Sequence, residues 1–241
     1  MAEDRGLRLS KNFPFRIHRE GVRFIVVSAG FTVVAGFFFW PLALVLAVVS
    51  IWCAWFFRDP ERQTPVRPGV VFSPADGRVQ KVEQVLPPPE LGMGNAPRTC
   101  IHIFMNIFDV HVNRVPIDGT IIDLHYWPGR FFNASFDKAS VYNERQGVHM
   151  RTADGTDLAF VQIAGLIARR IKCTLNSGQA VQAGERFGII RFGSRVDIYL
   201  PPDATPLVAS GDHTVAGETE IAHLSAVEGG GGAVSGQGQA E

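Results

Sequence analysis

A serine hydroxyl becomes a useful nucleophile only where a base takes its proton. An imidazole can serve as that base, or as an acid, near neutral pH. The chain holds such residue types in three places. Gly193-Ser194 lies within Gly188–Pro202, between two good strand patterns. His111 follows Asp109-Val110, and Asp76 sits in Ser73-Pro74-Ala75-Asp76-Gly77. Each also has a plainer reading. Gly-Ser suits a hairpin turn in which glycine supplies an unusual φ. Ala-Asp-Gly suits a tight turn, and His111 suits a half-buried strand position beside Phe108. Arg114 offers a fork of donors for a phosphate or carboxylate, while Arg169 and Arg170 are candidates for lipid headgroups. Asn143-Glu144-Arg145 reads equally well as an ion-paired turn or as part of a site. None of the seven histidines has a partner at i,i+4, and Cys53, Cys100 and Cys173 are far apart. Neither a metal site nor a disulfide framework is therefore expected.

These residues must be positioned by elements that the hydropathy pattern outlines. Phe24 to Phe57 contains no charged residue. As one straight helix it would be about 50 Å long, against a hydrocarbon core of about 30 Å. Trp40-Pro41 breaks the run into halves, because proline disfavours helix in the residue before it. Arg5, Arg8, Lys11, Arg16, Arg19 and Arg23 precede the run, and Arg58, Arg62 and Arg67 follow it. Basic flanks on both sides predict a hairpin or re-entrant segment with both ends cytoplasmic. A cleaved signal peptide would have a much shorter apolar core.

From Arg58 onward, short β-type runs alternate with turn signals. Strands are expected at Val70–Phe72, Val79–Val85, Thr99–Phe108, Thr120–Tyr126, Gly147–Thr152, Asp157–Ala164, Arg186–Phe192 and Val196–Leu200. Ile163–Ile171 fits a strand or a helical turn. The glycine-turn spacing of Asn176–Glu185 is similar to that of biotinyl and lipoyl domains, which are flattened β sandwiches. The expected organisation is a basic segment (1–23), a membrane segment (24–57), a mainly β (α+β) catalytic domain (58–225) and a Gly-rich tail (226–241). The 23 basic and 23 acidic side chains cancel, which argues against nucleic acid as partner. Only 19% of residues are charged and 18 are Phe, a composition suited to contact with lipid.

Phe192-Gly193-Ser194-Arg195-Val196-Asp197 resembles the self-processing site of short-form phosphatidylserine decarboxylase proenzymes. Four more segments agree with that family in the same order. They are Phe72–Gly77, then Asn106-Ile107-Phe108-Asp109-Val110-His111-Val112-Asn113-Arg114-Val115-Pro116, then Asn143-Glu144-Arg145, then Gln162–Ile171. Any one segment is weak, but the ordered set, running from about residue 65 to 210, is highly specific.

The resemblance implies a chemistry. Ser194 Oγ attacks the Gly193 carbonyl, the resulting ester eliminates, and residues 1–193 separate from 194–241 as a larger and a smaller chain. Residue 194 becomes a pyruvoyl group that forms a Schiff base with phosphatidylserine and serves as electron sink, as pyridoxal phosphate does elsewhere. Loss of carbon dioxide then yields phosphatidylethanolamine. No pyridoxal phosphate and no metal is expected, and the partners are phosphatidylserine in the bilayer and the two cleavage products as a heterodimer. His111 and Asp76 match family positions implicated in processing and decarboxylation, and Asp109 is a third candidate. Longer family members read Asp-x-His-x-x-His here, whereas this chain has Arg114 at the second histidine position. Arg114 stays protonated and is a poor base, so the work of that histidine falls to His111, Asp76 or Asp109. The competing reading is a non-enzymatic membrane adaptor with a biotinyl-like domain, which predicts no cleavage. Asp137-Lys138-Ala139 is the only setting that hints at a carrier lysine, and it lies outside the glycine-turn pattern. Pyruvoyl chemistry on a soluble amino acid is a third reading, disfavoured by the apolar run.

Overall fold

Runs of β-branched and aromatic residues broken by glycine and proline form short strands more readily than helices. The computed structural model describes residues 16–130, 134, 142–165, 170–191 and 193–225, with sixteen strands and two α-helices among them. In chain order the strands begin with β1 (Arg16–Ile17), β2 (Arg58–Asp59), β3 (Val70–Phe72), β4 (Gly77–Val85), β5 (Arg98–Met105) and β6 (Val112–Arg114). There follow β7 (Gly119–Trp127), β8 (Arg145–Arg151), β9 (Asp157–Ala164), β10 (Ile171–Cys173) and β11 (Ala180–Val181). The last are β12 (Arg186–Ile190), β13 (Ser194–Tyr199), β14 (Thr205–Pro206), β15 (His213–Thr214) and β16 (Glu220–His223). The helices α1 (Arg19–Phe38) and α2 (Trp40–Phe56) lie between β1 and β2. The fold is mainly β, as the sequence implies.

Eight strands form one antiparallel sheet in the order β11-β7-β8-β9-β13-β5-β4-β15. Two three-stranded sheets, β10-β12-β6 and β14-β16-β3, supply the other layer. The main core lies between the layers. Ile101, Ile103, Val148, Phe160, Val196 and Ile198 of the large sheet meet Val71, Phe187, Ile190 and Ile221 of the small ones. The opposite face of the large sheet packs Cys100, Ala159, Val161, Ile163 and Tyr199 against Leu91 and Met93. Strand β13 therefore alternates between two buried faces. Ser194, Val196 and Ile198 point one way, and Arg195, Asp197 and Tyr199 the other. A slip of one residue would drive Arg195 and Asp197 into the main core, so the register is strongly specified.

The hairpin reading of Gly193-Ser194 is not what forms. Strand β12 pairs with β10 and β6, whereas β13 pairs with β5 and β9. The chain crosses from one layer to the other at Gly193. Strand β5 stops at Met105, short of the expected Phe108, because Asn106–Asp109 closes a turn. Of Ile163–Ile171, Ile163–Ala164 end β9 and Ile171 opens β10; residues 166–169 lie outside the described set.

The apolar run folds as two antiparallel helices. The chain turns at Phe39, which is extended (φ −155, ψ 91), and Pro41 sits in the first turn of α2. Proline is well tolerated there, since its missing N–H has no intrahelical partner. Phe38 and Trp40 at the tip are 84% and 73% exposed, leaving an uncovered apolar end. Thr32 Oγ1 and Ser50 Oγ share a hydrogen bond of 3.3 Å between the helices. At the foot, Phe24 stacks on Phe57 at 5.4 Å, His18 N–H donates to Phe57 O, and β1 pairs with β2. Both ends of the helix pair thus emerge together, where Ile17, Phe56 and Phe57 pack on Val110, Val112 and Ile189.

Candidate active site

Gly193 and Ser194 stand where the chain changes layers. Gly193 has φ +74, in the left-handed region that favours glycine. Ser194 is fully buried and opens β13, paired with Met105 on one side and Ala164 on the other. Its Oγ donates weakly to Met105 Sδ at 3.9 Å. The same sulfur accepts from Asn113 Nδ2 at 3.7 Å, and Asn113 Oδ1 accepts from Gln162 Nε2 at 2.8 Å. A buried polar chain therefore reaches Ser194 through the core.

His111 is brought to this bond. Gly193 N–H donates to His111 Nε2 at 3.4 Å, and His111 Nδ1 lies 3.0 Å from the Asp109 carbonyl oxygen. Together these contacts assign the proton to Nδ1 and leave a lone pair on Nε2. The ring is wholly buried, with the Phe56 ring centroid 4.2 Å away. Burial drives its pKa down to about 3; the Asp109 carbonyl opposes the shift and the Arg58 charge adds to it. The imidazole is accordingly neutral at ordinary pH.

Asp76 and Asp109 form the outer part of the same neighbourhood. Asp76 Oδ1 accepts from Ala216 N–H at 2.8 Å and Oδ2 from Arg62 Nη2 at 2.7 Å. Burial raises its carboxyl above the usual range, against the pull of Ala216 N–H and Arg62. Asp109 Oδ2 accepts from Asn106 N–H at 2.8 Å, and burial raises this carboxyl too. The contact Asp109 makes with His111 is through its backbone carbonyl, not its carboxylate.

The arginines separate. Arg114 donates to Gly184 O at 2.8 Å and Pro60 O at 2.9 Å, and stands 3.5 Å from Asp59. Burial lowers its pKa to about 10. These contacts tie β6 to the segment after α2. Arg170 is exposed, and Arg169 lies outside the described residues, as does Asp137-Lys138-Ala139. In Asn143-Glu144-Arg145, Asn143 Nδ2 donates to Ala164 O at 2.7 Å and Glu144 O accepts from Ala164 N–H at 2.9 Å. That segment therefore holds the strand residue paired with Ser194.

Behind Ser194, on the other face of β13, lies a buried charged group. Arg195 Nε and Nη2 meet the two Asp197 oxygens at 2.7 and 3.0 Å, and His102 Nδ1 lies 2.8 Å from Asp197 Oδ1. Burial acts to raise the Asp197 carboxyl, but Arg195 and His102 outweigh it and hold the carboxyl below its usual range. Cys100, His102 and Asp197 have potential ligand atoms within 4.8 Å of one another. The Asp197 carboxylate is already engaged by the arginine fork, and burial pushes the Cys100 thiol well up, away from the thiolate a metal takes.

Several residues of the site escape the sequence reading. A Cβ on Gly165 would lie 2.1 Å from Gly193 O, so only glycine lets that backbone approach the carbonyl. Met105 and Phe56 look like ordinary core and helix residues. Arg191 pairs with Glu20 and lies over the Phe24 ring at 5.4 Å, joining the end of β12 to the helix foot. The one legible hint was Gly165, which falls inside a matched segment.

A family model described as phosphatidylserine decarboxylase matches residues 49–222. A phosphatidylserine decarboxylase proenzyme of Paramagnetospirillum magneticum is 56% identical over 223 residues, covering 92% of this chain and 93% of that protein. A proenzyme of the same name from Rickettsia africae is 53% identical over 206 residues, covering 86% and 89%. Another from Cereibacter sphaeroides is 50% identical over 212 residues, covering 88% and 91%.

Proposed function

The chain belongs to the phosphatidylserine decarboxylase family, and from that membership we propose how its residues carry the reaction. It is a carboxy-lyase, made as a proenzyme, that converts phosphatidylserine to phosphatidylethanolamine and carbon dioxide. Membership in the family sets the non-enzymatic adaptor aside.

The processing site is Gly193–Ser194. One arrangement carries this assignment: Ser194 opens an interior strand directly after a left-handed glycine whose N–H donates to His111 Nε2. Attack of Ser194 Oγ on the Gly193 carbonyl forms an ester and breaks the peptide C–N bond. The hydroxyl proton passes to the freed amine by way of His111 Nε2. Elimination then removes the Cα proton and breaks the Cβ–Oγ bond, leaving Gly193 as a carboxylate. Water replaces the nitrogen at residue 194, which departs as ammonia.

Position 194 suits the resulting ketone, because it is buried beside a neutral imidazole and a thioether. A pyruvoyl group there supplies a carbonyl that takes the substrate amine and draws electrons from the carboxylate-bearing carbon. The His111 Nε2 lone pair accepts Gly193 N–H over a long 3.4 Å contact and serves proton transfer once that contact opens. The Arg58 charge acts on His111, and Asp76, Asp109 and Arg62 in turn act on Arg58. The roles suggested for Arg114, Arg169 and Arg170 toward the substrate rest on chemistry alone; Arg114 would first have to leave Gly184, Pro60 and Asp59.

The chain associates with the membrane through its N-terminal apolar helix. Helices α1 and α2 form the anchor as a hairpin, and the basic flanks favour the cytoplasmic side for the β domain. A substrate that stays in the bilayer then meets the site at the foot of the helices.

Phenylhydrazine, which captures ketones, tests this directly. It is expected to stop carbon dioxide release from phosphatidylserine vesicles and to add its mass, less one water, to the fragment that begins at residue 194. Undiminished activity, with neither fragment modified, would overturn the assignment.

A further inference from the structure

The turn that leads into His111 has an unusual tip. Asn106 N–H donates to Asp109 Oδ2 at 2.8 Å, Phe108 N–H to Asn106 Oδ1 at 2.8 Å, and Asp109 N–H to Asn106 O at 3.0 Å. These bonds close the turn and leave Ile107 and Phe108 at its apex, with Phe108 61% exposed. One exposed aromatic side chain is ordinary, but several in a contiguous uncovered patch mark a surface that meets another.

Arg58 ties that apex to the end of α2. Its Nη2 donates to Phe108 O at 2.7 Å and its Nη1 to Trp55 O at 2.9 Å. The guanidinium also lies 4.3 Å from the Trp55 ring centroid, and Trp55 is itself 47% exposed. Trp55, Arg58, Ile107 and Phe108 therefore form one patch, continuous with the uncovered apolar side of the helices. Arg19 and Arg23 are exposed at the same end of the hairpin. An exposed indole over a cation, with an exposed phenylalanine in the adjoining turn at the end of an apolar helix, matches the chemistry of the headgroup level of a bilayer.

We propose that the Asn106–Asp109 turn is a second membrane contact, which seats Ile107 and Phe108 in the headgroup–acyl boundary of an anionic phospholipid bilayer beside the foot of the helix hairpin. The occupant is lipid, because the patch continues a lipid-facing helix pair and carries charge opposite to that of anionic headgroups. The contact has a consequence for the site. The Asp109 carbonyl holds His111 Nδ1, and His111 Nε2 holds Gly193 N–H. Seating the turn thus fixes the height of the Gly193–Ser194 bond relative to the headgroups. The inference rests on the membrane reading of α1 and α2 and not on self-cleavage.

The test places a tryptophan at Phe108→Trp and, as control, at Leu86→Trp in the full chain. Leu86 follows β4 at the end remote from Gly77, and is 62% exposed. Each chain is reconstituted into vesicles of phosphatidylcholine and phosphatidylglycerol, in which no substrate turns over. Added emission is taken as the difference from the unsubstituted chain. Lipids brominated near the glycerol should quench Phe108→Trp several-fold more strongly than Leu86→Trp, and acrylamide should do the reverse. Acrylamide reaching both positions alike would overturn the proposal. So would lipid quenching both alike, or a Phe108→Trp shielded from both quenchers, which would mean that protein covers the patch. Absence of self-cleavage in the unsubstituted chain would count against the proposed function and leave this comparison untouched.

Discussion

Gly165 presses against the carbonyl that Ser194 is proposed to attack, and a methyl group has no room there, since its carbon would lie 2.1 Å from Gly193 O. Gly165→Ala must push that oxygen aside. Self-cleavage should slow at least about tenfold, equivalent to roughly 1.4 kcal/mol in the barrier, followed on a denaturing gel over time. His111→Gln should cost about a hundredfold or more in the same assay, the usual worth of a positioned proton carrier. His111 also makes a stability prediction. Its folded pKa of about 3 lies below the ordinary value of 6.5. Below pH 6.5 the unfolded chain therefore takes up a proton that the folded chain refuses. Stability should fall as pH drops through this window, by up to about 1.4 kcal/mol per pH unit. Thermal unfolding at several pH values should show a steeper acid loss in the wild type than in His111→Gln. At this scale ordered motifs singled out Gly193, Ser194 and His111, which the fold brings together. They did not carry the contact between Gly165 and Gly193, which two distant segments create, nor which aspartate atom holds His111.

The helix hairpin and the interior strand are the two elements that bring these residues together. Phe56, at the end of α2, covers the His111 ring and is itself fully buried. Phe56→Ala should destabilise the protein by about 3–5 kcal/mol, the range for emptying a buried aromatic position. It should also admit water to His111 and move its titration toward the ordinary range. Loss of cleavage rate on mild acidification, absent in the wild type, would report that change. The uncharged run and its proline made the helices legible, and β-type runs made most strands legible. Pairing was not legible. Strands close in sequence usually neighbour one another, which favours a hairpin at Gly193-Ser194. Here β12 and β13 belong to different layers, because β13 is needed between β5 and β9 to complete the large sheet.

The whole molecule is arranged so that a cut before Ser194 need not take it apart. Strand β13 would belong to the smaller chain, yet both of its neighbours, β5 and β9, would belong to the larger one. Strands β15 and β16 likewise pair with β4 and β3 across the cut. The two pieces should therefore migrate together in detergent and separate only on denaturation. The intact mass of the purified protein under denaturing conditions, beside Ser194→Ala, tests the central claim most directly. Two species, one ending at Gly193 and one beginning with a pyruvoyl group at position 194, with a single uncut chain for Ser194→Ala, are the predicted result. A single uncut chain in both folded samples, or a cut at another bond, would contradict it.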